Sequence, residues 1–309
     1  MTIASKFPDP PTPQKWRTRF APSPTGYLHL GHVVSAAWVW AFARRFEATV
    51  LLRIEDHDSV RSKKEFEDEI FEDLSWLGFF DLDDIEIVGR DNRIRQSDRQ
   101  VRYREAVEEL NAAGQNIFGC HCTRKQIKAL SGDKHLTELF YSGTCRQRPW
   151  SFAAKEGVRL QIDSEQLTFD DLIHGHSMQQ PSSQCGDLLL RDRDQNFSYQ
   201  FAVTVDDIDQ DINLIVRGDD LFESTGRQLL LAKKLGRLKP ALFAHHPLVL
   251  DPLGSKLSKR QFSERIAKDR LEGNGPENVF RLAAQSLSID NYKEIDRLDK
   301  LIDSMLKGS

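Results

Sequence analysis

Phe20-Ala21-Pro22-Ser23-Pro24-Thr25-Gly26-Tyr27-Leu28-His29-Leu30-Gly31-His32 is the stretch on which the fold turns. Trp16 to Ala21 is a short strand-like run, Pro22 to Gly26 is dense in chain breakers, and from about Leu30 to Phe46 the apolar positions recur at three and four, the period of a helix. A second strand, Thr49 to Ile54, follows and ends in the acidic cluster Glu55-Asp56-His57-Asp58. Strand, loop, helix and strand in so short a span form a βαβ unit, and its ligands belong at the carboxyl ends of the strands, where both loops sit. Backbone N–H groups at the helix start, with Gly26 and Gly31 allowing close approach, suit an anion. His29 and His32, three apart at that start, share a face and can both donate to phosphate or ribose oxygens. Taken alone, such a pair is more often a satisfied polar pair or a metal site than a nucleotide site.

Outward from this unit the chain is ordinary in composition. Its 309 residues suggest about two domains, and 43 Lys and Arg against 47 Asp and Glu leave a net charge of −4. Hydrophobic residues at 39% and charged residues at 29% exclude collagen-like and disordered classes. The most apolar run, Val33 to Ala43, is far below the ~20 residues that span a bilayer, and no long apolar run at the start reads as a signal peptide. No membrane partner is expected, and a cytoplasmic address is the default. Three of the four cysteines, Cys120, Cys122 and Cys145, fall within 26 residues, a spacing suited to a metal in a reducing compartment.

Four of the twelve prolines lie in residues 1–15, which read as an extended, mobile tail on which no core depends. A charged helix is expected at about Lys63 to Leu77, and Ser97 with Gln100 reads as a capping box opening a helix that Gly114 closes. Strands are expected at Leu188 to Leu190, Ser198 to Val205, Asn213 to Val216 and Ala244 to Leu250, with a helix from about Ser224 to Leu235. The resulting fold class is α/β, a Rossmann-like parallel sheet with helices on both faces. Residues 16–117 and 186–262 form it, 118–185 interrupt it as an insertion, and 263–309 make a short helical segment. Late in the chain, Lys256-Leu257-Ser258-Lys259-Arg260 forms a Gly-preceded basic loop suited to neutralising a departing pyrophosphate, although a solvated surface turn is the plainer reading of such a loop alone.

His-Leu-Gly-His early and Lys-Leu-Ser-Lys-Arg late, around an interrupted α/β sheet, resemble the two signature motifs of class I aminoacyl-tRNA synthetases. Arg19 to Gly26, Leu52-Arg53-Ile54-Glu55-Asp56, Val205-Asp206-Asp207 and Ile215-Val216-Arg217-Gly218-Asp219-Asp220 are similar to the glutamyl-tRNA synthetase branch, over about Arg17 to Arg260. Only 49 residues follow Arg260, too few for the helical anticodon-binding domains of a full member, so the chain resembles the short glutamyl-Q tRNA(Asp) synthetase family.

The resemblance implies Mg²⁺ with ATP, L-glutamate and tRNA(Asp) bearing queuosine as partners, and a monomer is expected. It implies that His29, His32 and Lys259 stabilise charge on the phosphates, with Gly31 and Lys256 also binding ATP. Arg19, Phe20, Ala21, Pro22, Ser23, Glu55, Tyr199 and Arg217 would bind glutamate. The residue types suit that ligand, since arginine forks match carboxylates and a glutamate side chain matches an ammonium. Each has a plainer alternative, among them an Arg19–Glu55 pair across neighbouring strands. Gln200 departs from the Asn common at its position. Cys120, Cys122, Tyr141 and Cys145 match the family's zinc pattern, one Zn²⁺ per chain. His121, His135 and Cys185 are the other candidates for the fourth position, and plain buried thiols are the alternative to a metal.

Arg90 to Arg104, with six arginines against two aspartates, is the candidate contact for the tRNA backbone; a helix face paired with Asp91, Asp98 and Glu105 is the alternative. A compact glutamyl-tRNA synthetase charging tRNA(Glu) and a catalytically silent binding module are the rival readings of the whole.

Overall fold

The computed structural model describes residues 3–11, 14–58, 61–131, 139–237, 241–249 and 266–307. In chain order its elements begin with β1 (Arg17–Phe20), α1 (Leu30–Phe46), β2 (Thr49–Ile54), α2 (Lys64–Trp76), β3 (Ile87–Val88), β4 (Ile94–Arg95), α3 (Gln100–Ala112), β5 (Ile117–Cys120) and α4 (Arg124–Ser131). They continue with β6 (Gly157–Leu160), β7 (Leu167–Asp171), β8 (Gly175–Gln179), α5 (Pro181–Gln184), β9 (Leu188–Arg191) and α6 (Tyr199–Asp209). The last are β10 (Leu214–Gly218), α7 (Thr225–Lys234), β11 (Leu242–His246), α8 (Glu277–Ser286) and α9 (Leu298–Lys307).

The βαβ unit is present as expected. β1 and β2 pair in parallel, Arg17 to Phe20 against Thr49 to Leu52, and β3 and β4 extend β2 in the same sense. β10 and β11 form a second parallel pair, which the Asn213 N–H joins to β1 through the Arg17 carbonyl at 3.1 Å. The carboxyl ends of β1, β2 and β10 therefore face one region, the position of ligands in open α/β sheets.

α1 is apolar nearly all round because it is covered on two sides. Strands β1, β2 and β10 lie against it on one side, α8 and α9 on the other, and Leu298, Leu301, Ile302 and Met305 of α9 belong to the same core. The C-terminal segment is thus helical, as its pattern indicates, and packed on the first helix. The N-terminal segment corrects the expectation of a mobile tail. Residues Ile3–Lys6 form a 3-10 turn, and Phe7 is 4% exposed, stacked on Trp38 at 4.8 Å and tilted against Phe42 at 4.7 Å. An aromatic side chain gains more from covering α1 than the prolines around it cost in order.

Ser198 to Val205 is helix, not strand. Ser198 caps α6 by accepting from the Phe201 N–H, and Phe201, Ala202 and Val205 form its buried stripe. The β-branched run Val203-Thr204-Val205 favours a strand locally, and packing overrides it. Ser97 caps no helix either. Its N–H and hydroxyl instead bond Asp56 at 2.8 and 2.6 Å, tying the entry to α3 to the end of β2. The interruption at 118–185 is also drawn differently in space. β5, β6 and β9 form one antiparallel sheet that crosses both expected boundaries, and the β7–β8 hairpin pairs through Asp171 with Phe243 of β11.

Candidate active site

The His-x-x-His pair sits at the start of α1, where it acts as the helix cap. His29 Nδ1 accepts the Gly31 N–H at 3.1 Å, the His29 N–H donates to His32 Nδ1 at 3.1 Å, and the two rings stack at 3.8 Å. Both Nδ1 atoms act as acceptors, so in the neutral imidazoles the protons lie on Nε2. The cap thus takes up the N–H groups of His29, Gly31 and His32 within itself, the last through the His29 carbonyl at 2.8 Å, and what suits an anion here is the pair of Nε2–H groups set at the positive end of the helix dipole. Lys256 and Lys259 lie outside the described residues. Beside the pair, His246 at the end of β11 accepts from the Ser35 hydroxyl at 3.0 Å, which fixes that strand end to the first turns of α1.

The residues expected to hold glutamate lie at the ends of β1, β2 and β10 and at the start of α6. Arg19 Nε meets Asp207 at 3.2 Å and its Nη1 donates to the Val216 carbonyl at 3.2 Å. Glu55, 5% exposed, accepts from Arg53 at 3.1 Å. The plainer alternative of a direct Arg19–Glu55 pair is not what the structure shows: Arg53 bridges Glu55 and Asp207, the latter at 2.9 Å. Burial works against the charge of Asp207, yet Arg19 and Arg53 hold its carboxyl below the usual carboxylate range. For Glu55 burial prevails and raises the carboxyl in spite of Arg53, Arg19 and His57. Tyr199 stands among these charges. Burial, with Glu55 and Asp207, raises its phenol, so it stays a neutral donor and acceptor.

Phe20 is buried against Trp40, and Pro22 gives its carbonyl to the Glu55 N–H at 3.1 Å, which clips the loop after β1 to the end of β2. Ala21 is half-buried and Ser23 exposed along this loop. Arg217 is held differently from the other arginines. Its three bonds go to neutral acceptors, His245 Nε2 at 2.9 Å, Gln228 Oε1 at 2.6 Å and Thr225 Oγ1 at 3.0 Å. Burial and the nearby Arg19 charge lower it to about 10, so it remains a cation at neutral pH. Gln200 has a clear place: it accepts from Gln228 at 2.7 Å and donates to Ser224 at 3.0 Å, supporting the Arg217 cradle.

The Arg90 to Arg104 stretch is mostly committed within the protein. Arg93 and Arg95 pair with Glu67 at 2.8 and 2.7 Å, Arg99 with Asp206 at 2.6 Å, and Arg102 with Asp209 at 2.9 Å. The paired-face alternative describes this stretch, with partners from α2 and α6 rather than Asp91, Asp98 and Glu105. A different basic surface is open. A groove of about 1280 Å³ runs from Cys120 and Cys122 to Ser198 and Gln200, with Arg124, Lys128, Lys155 and Arg193 among its lining.

Cys120, Cys122 and Cys145 bring three Sγ atoms within 4.8 Å of one another. Zn–S bonds of about 2.3 Å in a tetrahedron require sulfurs about 3.8 Å apart. Cys122 and Cys145 stand at 3.6 Å, and the Tyr141 hydroxyl is 3.4 Å from Cys120 Sγ, so the donor set fits a tetrahedral metal. His121 instead pairs with Glu156 at 3.3 Å, and Cys185 donates to the Pro181 carbonyl at 3.3 Å. His135 lies outside the described residues. Gly186 is required beside the cluster: its φ is +68°, and a Cβ there would stand 2.0 Å from the Tyr141 carbonyl oxygen.

Comparison with known proteins decides the family. The family of tRNA synthetases class I (E and Q), catalytic domain, matches residues 15–300. The chain belongs to the class I tRNA synthetases. It is 37% identical to the glutamyl-Q tRNA(Asp) synthetase of Symbiobacterium thermophilum, over 92% of this chain and 90% of that protein. It is 39% identical to the glutamate–tRNA ligase of Lawsonia intracellularis, of which it spans 60%. The crystal structure of a glutamate–tRNA ligase from Elizabethkingia meningosepticum in complex with its amino acid has a TM-score of 0.71 at 26% identity, covering 94% of this chain and 64% of that one. As a class I synthetase the protein is a ligase-type enzyme, and among its described residues no helix is long and apolar enough to cross a membrane.

Asp171 and His245, which stand buried behind Arg217, were not singled out from sequence, where the one available signal was a charged or polar residue within an otherwise apolar strand. Arg53 and Asp206, which stand behind Arg19 and Glu55, fall within runs quoted for the family resemblance but were given no role there.

Proposed function

We propose that this synthetase activates L-glutamate with Mg-ATP and transfers the glutamyl group to a hydroxyl of queuosine at the wobble position of tRNA(Asp). The observation that carries the glutamate reading is Arg217, a buried cation with no ion-pair partner among the described residues, held entirely by neutral acceptors. Leaving a buried charge uncompensated costs several kcal/mol, a cost that a bound carboxylate offsets. Arg19 supplies a second cation, Glu55 an anion for the ammonium, and Tyr199 and Ser23 orient by hydrogen bonds, with Phe20, Ala21 and Pro22 forming the wall.

In the first step an oxygen of the α-carboxylate bonds to the α-phosphorus and pyrophosphate leaves. His29 and His32 donate to the phosphates, Gly31 lets them approach the helix start, and Lys256 and Lys259 meet the departing charge. In the second step the acceptor hydroxyl attacks the adenylate carbonyl, losing its proton, and AMP leaves. The nucleotide that carries this hydroxyl would enter by the basic groove that ends at Ser198 and Gln200. Cys120, Cys122, Tyr141 and Cys145 would hold one Zn²⁺, whose role is to fold the segment around β5 and α4 rather than to react. The queuosine acceptor follows the relative named glutamyl-Q tRNA(Asp) synthetase, and charging of tRNA(Glu), the activity named for the glutamate–tRNA ligase relative, is the second reading.

Glutamate-dependent exchange of pyrophosphate into ATP, with and without bulk tRNA, tests the first step. Labelled glutamate transferred only to tRNA(Asp) containing queuosine is the expected second result. Transfer to tRNA(Glu) would make the protein a compact charging enzyme, and no exchange under any condition would leave a binding module.

A further inference from the structure

Arg217 reaches the candidate glutamate site from the end of β10 with three of its five N–H donors already engaged by neutral groups. The bond from Arg217 Nε to His245 Nε2 sets a condition. An N–H donor can approach only a ring nitrogen that carries no proton, so His245 must hold its proton on Nδ1. The opposite side of the ring supplies the reason it does. His245 Nδ1 lies 2.6 Å from Asp171 Oδ2, and Asp171 is itself fixed by the backbone N–H groups of Ile173 and His174, each at 2.9 Å. Both side chains are fully buried, and Phe222 and Phe243 enclose the ring at 5.1 and 6.0 Å between centroids.

We propose that Asp171 and His245 are positioning residues for amino-acid recognition: Asp171 fixes the tautomer of His245, and the bare Nε2 orients Arg217 so that its remaining N–H donors meet a substrate carboxylate. The inference rests on the reading of Arg217 as a glutamate-binding residue. The arrangement suits that task because a neutral imidazole orients the guanidinium without cancelling its charge, whereas Asp207 partly neutralises Arg19. A protonated ring would turn an N–H toward an N–H and push Arg217 away. Burial, reinforced by the Arg217 charge and opposed by Asp171, lowers His245 to about 4, so the ring is neutral at ordinary pH.

Glutamine and asparagine at position 245 separate the two halves of the device. Gln can present its carbonyl oxygen near the place of Nε2 and accept from Arg217; Asn can present its amide near the place of Nδ1 and satisfy Asp171 alone. In pyrophosphate exchange, H245N is expected to raise the KM for glutamate about tenfold or more above that of H245Q, the scale of one hydrogen bond to a charged group. D171N should resemble H245N, because an amide donor facing Nδ1 favours the tautomer protonated on Nε2. The KM for ATP should stay within about twofold in all three, since Arg217 makes no demand on the phosphates. A glutamate KM equal in H245Q and H245N, or lower in H245N, overturns the proposal. A measurement on the unsubstituted protein needs no variant to fold: the imidazole ¹⁵N spectrum should show His245 protonated on Nδ1 and bare on Nε2, and the opposite tautomer would overturn the proposal outright. Absence of glutamate-dependent exchange in the unsubstituted protein, with and without tRNA, removes the reading of the site, and the positioning role falls with it.

Discussion

Gly31 shows how much a single residue decides at the start of α1. A Cβ on it would stand 2.9 Å from His29 Cε1 and 3.1 Å from His29 Nδ1, closer than side chains tolerate, so the His29 ring would have to leave its capping position. Alanine is otherwise welcome in a helix, by about 1 kcal/mol over glycine. Gly31→Ala is therefore expected to leave the melting temperature level or higher while lowering the exchange rate about ten- to a hundredfold, the usual effect of misplacing one preorganised donor. Exchange at the unsubstituted rate in a normally folded variant would show that His29 need not stand where it does. At this scale the sequence was informative wherever a residue's chemistry is tied to its neighbours along the chain. His29, His32 and the three cysteines were legible for that reason. Asp171 and His245 were not, because 74 positions separate them and neither belongs to a local pattern; only the pairing of β7 with β11 brings them together.

Among the elements, α1 and the segment around β5 and α4 are stabilised in opposite ways. α1 is held by apolar cover, and Phe7 supplies part of it from outside the sheet. Phe7→Ala should lower stability by about 3–4 kcal/mol, the cost of truncating a buried aromatic, seen as a lower urea midpoint. A change below about 0.5 kcal/mol, the range of surface substitutions, would return the first residues to the status of a loose tail. The β5–α4 segment has a small core of Phe118, Cys120, Ile127 and Tyr141, too few side chains for stability without a further link. Cys145→Ser should accordingly reduce bound zinc from about one per chain to near none and open residues around Cys120 to Cys145 to protease. Equal metal content in the two proteins would remove Cys145 from the ligand set. The misread element, α6, follows the same logic: its buried stripe is helical, but the β-branched residues within it mask the period, and only the Ser198 cap distinguishes the two readings locally.

For the molecule as a whole, two buried groups give stability opposite slopes in the same acid range. His245 is lowered by burial to about 4, whereas in the unfolded chain it takes a proton near 6.5. As pH falls from about 6.5 to about 4, the unfolded state binds a proton that the folded state refuses, and up to about 3 kcal/mol of stability is lost. Asp73, on α2 and bonded to Arg270 at 2.9 Å, runs the other way. Burial, aided by Glu69 and Glu72 and opposed by Arg270, raises it to about 6. Between about 6 and 4 the folded state binds a proton that the unfolded state does not, and stability rises by a similar amount. The two slopes nearly cancel in the unsubstituted protein. Removing either group should expose the other: D73N is expected to lose stability more steeply than the unsubstituted protein between about pH 6.5 and 4, by up to about 3 kcal/mol, while H245Q should fall less or rise. Urea midpoints at about pH 7, 5.5 and 4.5 for the three proteins measure these slopes directly. Parallel curves would mean that folding shifts neither group, and His245 would then be neutral only above about 6.5 instead of down to about 4, so that the orientation of Arg217 would begin to fail in mild acid.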